Sequence, residues 1–421
     1  SPAERPAVTG KNPAGEPVER KADPNAPFAA LVFKTVIDPF AGKLSIFRVI
    51  SGHANSDATV LNSSRQSKER FGQLLRLEGK KQSPLASAIA GEIVAVAKLK
   101  DTLTGDSLCD EKSPIIFEPP KKASPVISFA IRPKSKGDEE KATLSLNKLV
   151  EEDPALETHR DLQTHEIILS GTGQLHVEVT VERLKRKFNV EVELQAPKVP
   201  YKETIKGRAE AQGKYKRQSG GRGQYGDCWL KIEPLKRGSG FEFSDEVVGG
   251  SIPRQFIPSV EKGVRNTLPE GFVAGFPLVD LKVTVYDGSS HAVDSSDMSF
   301  QIAASMGLKA ALEKAKPILL EPIMSVEVSC PEECMGDVIG DLNSRRGKVL
   351  GVDRKGHSQV IKALVPMSEI LKYAPDLRSM TSGRGSSEAQ FSHYEEVPAH
   401  ISEKVAKEAK DAKEAARQAH A

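Results

Sequence analysis

Short runs of alternating apolar and polar residues dominate positions 28–117. They include Leu31-Val32-Phe33-Lys34-Thr35-Val36, Leu44-Ser45-Ile46-Phe47-Arg48-Val49-Ile50, Ala58-Thr59-Val60-Leu61 and Ile93-Val94-Ala95-Val96. Alternation at period two marks strands with one buried face. Turn residues such as Asp38-Pro39 and Gly52 part these runs at short intervals. Evenly spaced short strands predict a small β-barrel, and Glu118-Pro119-Pro120 marks its end. Residues 1–27 are rich in Pro, Gly, Lys and Glu without any period, and read as a linker.

Beyond the barrel the period changes. Residues 126–131 read as a strand, 138–152 as a helix, 156–160 and 166–169 as strands, 174–188 as a helix and 190–194 as a strand. Ala142, Leu146, Leu149 and Val150 place one apolar stripe on the first helix, and Asp138-Glu139-Glu140 favours its N-terminus through the helix dipole. The order β-α-β-β-α-β is that of the ferredoxin-like sandwich. It recurs with strands at 324–329, 348–352, 360–365 and 389–393 and helices at 336–346 and 368–379. No sequence repeat joins the two copies. The predicted fold is multidomain α+β: a β-barrel (28–121), a ferredoxin-like domain (122–199), a mixed α/β arm domain (200–321) and a second ferredoxin-like domain (322–395). A helix over 396–421, with Ile401 and Val405 on one face, is assigned to the arm.

A chain of 421 residues is long enough for several cores. No apolar run approaches the roughly 18 residues of a membrane span. Four scattered cysteines do not build a disulfide framework, and Cys330-Pro-Glu-Glu-Cys334 lacks the second ligand pair of a structural zinc site. Reduced thiols in a cytoplasmic protein are expected. Net charge is +3, but residues 201–237 hold ten basic and four acidic residues, a local +6. A basic stretch around a flexible loop is an electrostatic footprint for phosphate backbones.

Two exposed turns are predicted in the arm. One is the glycine-rich Ser219-Gly220-Gly221-Arg222-Gly223-Gln224-Tyr225-Gly226; the other, Gly288 to Asp297, carries His291 at its apex. The first matches the dinucleotide pattern G-x-G-x-x-G, but that fingerprint must follow a strand and open a helix. Here a strand follows, so the glycines read as hairpin residues. Gly171-Thr172-Gly173 enters a helix without the lysine and hydroxyl of a phosphate loop, and reads as helix-start packing with His176 as a packed or capping residue. No G-x-x-x-x-G-K-[ST] occurs, so no cradle for nucleotide phosphates is expected. Catalytic triads and H-E-x-x-H are absent too. No catalytic, cofactor-binding or metal-binding residue is assigned.

These motifs carry a resemblance. Glu151-Glu-Asp-Pro154, Gly171-Thr-Gly-Gln-Leu-His-Val-Glu178 and Pro200-Tyr-Lys-Glu-Thr-Ile205 resemble third-domain and junction motifs of elongation factor G, the translocase of bacterial-type ribosomes. So do Ser219 to Gly226, His291 to Met298, Met335-Gly-Asp-Val-Ile-Gly-Asp-Leu342 and Arg345-Arg-Gly347. Lys198-Val-Pro-Tyr-Lys202, Gln212-Gly-Lys-Tyr-Lys216 and His393-Tyr-Glu-Glu-Val-Pro398 are most similar to its second, paralogous branch. Ser290 departs from the family's tip, which carries a tyrosine there.

The resemblance implies an arm of ribosomal S5 domain 2-like type and a GTPase domain ahead of Ser1 that binds GTP and Mg²⁺, neither being expected on this chain. It implies a monomer whose partners are the ribosome and the tRNA–mRNA pair. Lys216, Arg222, Gly223, Gln224, Tyr225, His291, Asp294 and Ser295 are the expected RNA contacts at the arm's tip, and Arg345, Arg346 and Lys348 those of the last domain. Translocation is the implied task. A ribosome-recycling paralogue and an RNA-binding module without a GTPase are the alternatives.

Overall fold

In a computed structural model, which describes residues 1–38, 41–79, 81–135, 137–218, 223–356 and 358–418, the chain forms two compact units, Ser1–Pro197 and Lys198–Ala421. The first unit opens with an eight-stranded antiparallel sheet that includes Ala29–Asp38, Gly42–Ser51 and Ile93–Ala97. It wraps a core of Phe47, Phe71, Leu74, Val94, Val96 and Leu108, in which the Phe47 and Phe71 rings stack at 5.4 Å.

The linker expected over 1–27 is in part a hairpin. Val8–Lys11 pairs with Pro17–Arg20, and Gly10 and Lys11 pair with Phe117 and Ile116. Each strand is only four residues long, too short for a period to show, and its stabilising partner lies far away in sequence. The turn is closed locally, with Asn12 Oδ1 accepting from Glu16 N at 2.9 Å and Gly15 at φ +86°.

The βαββαβ domain follows with helices Glu139–Glu152 and Gln174–Phe188 on a four-stranded antiparallel sheet. The Glu152 carboxylate, 4% exposed, ties it to the barrel strand: it accepts from Ile37 N at 2.6 Å and pairs with Arg183 and Lys187. His176 closes the glycine turn before the second helix. Its Nδ1 accepts from Thr172 N at 3.2 Å and its Nε2 meets Asp153 Oδ2 at 3.0 Å.

In the second unit the elements are β1 (Lys202–Ile205), β2 (Ala209–Arg217), β3 (Gln224–Pro234), β4 (Phe241–Asp245), α1 (Ile257–Thr267), β5 (Leu281–Ser289), α2 (Asp297–Lys314) and β6 (Pro317–Pro331). There follow α3 (Met335–Ser344), β7 (Lys348–Lys355), β8 (Ser358–Pro366), α4 (Met367–Ile370), α5 (Tyr373–Met380), β9 (Ser386–Glu396) and α6 (Ala399–Gln418). The arm's sheet runs β2-β3-β5-β4, with β4 and β5 parallel. One face carries α1 and α2 over Cys228, Leu230, Ile232, Val283 and Val285.

Close approach of backbone to backbone sets this packing. A Cβ on Gly213 would collide with the Ala303 carbonyl of α2, and one on Gly226 with that of Ser299. The small residues Ala303, Ala304, Gly307 and Ala311 give α2 the flat face that this needs.

The last domain's sheet runs β7-β8-β6-β9, the same order as in the first βαββαβ domain. The expected boundary at 321/322 falls inside β6, one strand from Pro317 to Pro331 that pairs first with β1 and then with β8. One correction arises here: the helix expected over 368–379 is two, α4 and α5. Pro375 near the start of α5 has no N–H to give the preceding turn and disfavours helical geometry before it, so the helix breaks there. Helix α6 lays Ile401 and Val405 against Ala274, Leu319 and Val397, with Tyr201 and Phe276 beside them.

Candidate nucleic-acid interface

The β2–β3 hairpin and the β5–α2 loop meet at one end of the arm. Asp294 joins them: its carboxylate accepts from Gly223 N at 3.0 Å and its backbone carbonyl from Tyr225 N at 2.8 Å. A Cβ at Gly223 would press on that carboxylate, 2.9 Å from Cγ, and would displace it. Ser295 closes the second loop on itself. Its Oγ accepts from His291 N at 2.9 Å and its own N–H donates to His291 O at 3.2 Å. Ser296 then caps α2, accepting from Ser299 N at 3.2 Å.

His291 is 56% exposed at its side chain. Its Nδ1 faces inward, where Asp294 N donates to it at 3.2 Å and Val293 N at 3.4 Å. Asp294 Oδ2 lies 3.3 Å from the same nitrogen, so the backbone and the carboxylate of the loop together hold this edge of the ring. Tyr225 stands 6.4 Å away, ring to ring. Gln224 is exposed, and its Oε1 accepts from Tyr215 OH at 2.9 Å, which turns the amide NH₂ outward. Lys216 is exposed on β2, in register opposite Tyr225. Arg222 lies outside the described residues.

Beneath the tip is a polar network that motif reading missed. Asp227, 5% exposed, accepts from Gln212 Nε2 at 2.8 Å and from Ser289 Oγ at 2.7 Å, and Tyr225 OH reaches that hydroxyl at 2.7 Å. It anchors the root of both loops. The only sequence signal was an acid beside the glycine-rich turn of a mainly basic hairpin.

In the last domain, Arg345 and Arg346 lie in ion pairs within the fold. Arg345 bonds Asp341 at 2.7 Å and Asp376 at 2.6 Å, with its guanidinium 5.2 Å from the Tyr373 ring centroid. Arg346 holds the buried Glu321 through two bonds, at 2.6 and 2.9 Å, and Glu369 at 3.0 Å. Both guanidiniums thus help to hold α3, α4, α5 and β6 together. A motif shows residue type and spacing, not which acids the fold brings alongside. Lys348 is exposed at the start of edge strand β7.

All four cysteines are buried thiols. Among the described residues no group of three or more His, Cys, Asp or Glu could hold a metal ion, and no helix is long and apolar enough to cross a membrane.

Four family models match the chain in order: elongation factor G domain 2 over residues 27–111, domain III over 123–196, domain IV over 197–316 and the elongation factor G C-terminus over 318–405. None of them is a GTPase domain. A solved crystal structure from Thermus thermophilus is 39% identical, with a TM-score of 0.78, over 92% of this chain and 58% of that one. The chain therefore spans less than two thirds of that neighbour's length. Four consecutive matches laid over the barrel, the two βαββαβ domains and the arm make the chain a member of the elongation factor G family, carrying its domains II to V.

Proposed function

We propose that this chain is the ribosome-engaging part of a cytoplasmic, monomeric, GTP-driven translation factor that promotes movement of tRNA and mRNA. GTP and Mg²⁺ would be held by a GTPase domain of the same protein. The arm enters the decoding region behind the moving tRNA. There the His291 ring, the Gln224 amide and the Lys216 ammonium meet RNA backbone. Irregular RNA is recognised by such shape and backbone contacts without a base code. By filling the vacated site the arm favours the moved state, which is differential binding between two states.

The observation that carries this reading is the Asp294 bridge. It fastens the β5–α2 loop to the described end of β3 and leaves outward groups that can contact RNA without opening the fold: a ring, an amide and a lysine.

The test joins the chain to a competent GTPase domain of the family and follows His291→Ala in single-turnover kinetics. The residue is exposed on a turn, so stability should change by no more than about 0.5 kcal/mol, and GTP hydrolysis should be untouched. Loss of one polar contact of about 1–3 kcal/mol slows tRNA movement roughly ten- to a hundredfold. Movement at the wild-type rate would discard the reading. Unchanged movement with slowed subunit splitting would favour ribosome recycling, the second reading, which the second-branch motifs such as Lys198-Val-Pro-Tyr-Lys202 leave open.

A further inference from the structure

We propose that the open face of the arm's sheet is a second RNA-binding surface, one that stacks bases of single-stranded RNA on Trp229 and Tyr286. It goes beyond the tip contacts, which need neither ring.

Helices α1 and α2 cover one face of the sheet, where Cys228, Leu230 and Ile232 of β3 are buried. Alternation sends the residues between them to the other face. No helix among the described residues covers that face, yet it carries the only tryptophan of the chain. Trp229 and Tyr286 are half-buried, their rings 6.4 Å apart and tilted by 49°. A bulge between Trp229 and Leu230 brings Tyr286 beside the indole. Neither ring is needed to complete the arm's core, which lies on the opposite face.

The cations that fit an anionic strand lie at the tip-ward end of this face. Lys214 and Lys216 are exposed on β2 and make no ion pair among the described residues. Lys214 Nζ stands 6.0 Å from the Tyr225 ring centroid. Of the carboxylates nearby, Glu233 pairs with Arg208 at 2.9 Å, while Asp227 and Glu210 are held in place by Gln212, Ser289 and the Tyr286 hydroxyl. Tyr225 and Trp229 lie four residues apart on β3, about 13 Å, so the strand presents aromatic rings in a line that leads from the tip along the face. Basic side chains for the backbone and rings for the bases are the two parts of a sequence-tolerant single-strand site.

The experiment uses the 421-residue chain, whose single indole is its own reporter. A short unstructured oligoribonucleotide should quench Trp229 fluorescence saturably. Trp229→Ala should weaken binding, followed by anisotropy of labelled RNA, about tenfold or more, whereas Trp229→Phe should keep most of it. Lys214→Ala with Lys216→Ala should weaken it and flatten its salt dependence while leaving the indole folded in place. His291→Ala with Gln224→Ala should leave the quenching intact, which separates this surface from the tip. RNA binding with no change in indole fluorescence would overturn the proposal, as would wild-type affinity in Trp229→Ala. Equal affinity for a duplex of the same length would do so too, because charge alone would then explain the binding.

Discussion

The Glu203 carboxylate accepts five backbone N–H bonds, from Phe272, Val273, Ala274, Gly275 and Phe276, at 2.5 to 3.0 Å, and none of its surface reaches solvent. Those amides belong to the loop that carries Ala274 and Phe276 onto helix α6. A buried charge is tolerated when its lone pairs are filled by donors, and here the backbone fills them. Glu203→Gln puts an NH₂ where donors already point and leaves amides without acceptors. At about 1–3 kcal/mol for each such group, the variant should lose roughly 3 kcal/mol, and amide exchange at residues 272–276 should speed up before the rest of the unit opens. Cys228 gives the pH-dependent case. Burial, with the Asp227 charge beside it, pushes its thiol up from 9.0 to about 12. The unfolded chain sheds this proton near pH 9 while the folded chain keeps it. The stability it contributes is thus fully present below pH 9 and is lost as the pH rises towards 12. Replacing it by alanine should make the alkaline fall of the melting temperature shallower, whatever the offset at neutral pH.

Among the elements, α2 shows how the arm is held straight. Its contact with β2 and β3 is backbone on backbone at Gly213 and Gly226, so no side-chain rotation can relieve an added methyl. Gly213→Ala should separate helix from hairpin and destabilise the unit by about 1–3 kcal/mol or more, seen as a lower unfolding midpoint and earlier proteolytic cutting. Ser290→Ala on the exposed loop should change neither. Strand and helix periods made most of the elements legible in the sequence: the helix over Gln174–Phe188 and the strand before the His291 loop follow from local pattern. What was not legible depends on partners distant in the chain. The Val8–Lys11 hairpin needs Ile116 and Phe117 to be a sheet. β6 runs through the expected domain boundary because β1 and β8 pair along its two halves. The tip loops could be read as exposed turns, but not the Asp294 bridge that joins them, since no spacing rule links residues 223 and 294.

For the whole molecule, the question is which of its positive charges act outward and which hold the fold. The resemblance implies RNA contacts at Lys216 and at the Arg345-Arg346 pair, and the two differ in their ion pairs. Lys214 and Lys216 stand exposed on a hairpin with no carboxylate partner among the described residues, whereas Arg346 neutralises Glu321, itself 2% exposed. The two groups should therefore fail differently. Lys214→Ala with Lys216→Ala removes two phosphate contacts, so log K for ribosomal RNA against log salt should flatten by about 1.4, at roughly 0.7 per contact for single strands, while the unfolding midpoint stays put. Arg346→Ala leaves a buried carboxylate unpaired, which costs about 3 kcal/mol and should lower the midpoint. Binding measured on the folded fraction should keep its wild-type salt slope. The physical reason is that RNA sheds counterions only for protein charges that meet its phosphates, and a guanidinium held by two carboxylates displaces none. If Arg346→Ala flattened the slope without loss of stability, the last domain would be using that arginine on RNA, and the division drawn between the arm and the last domain would be wrong.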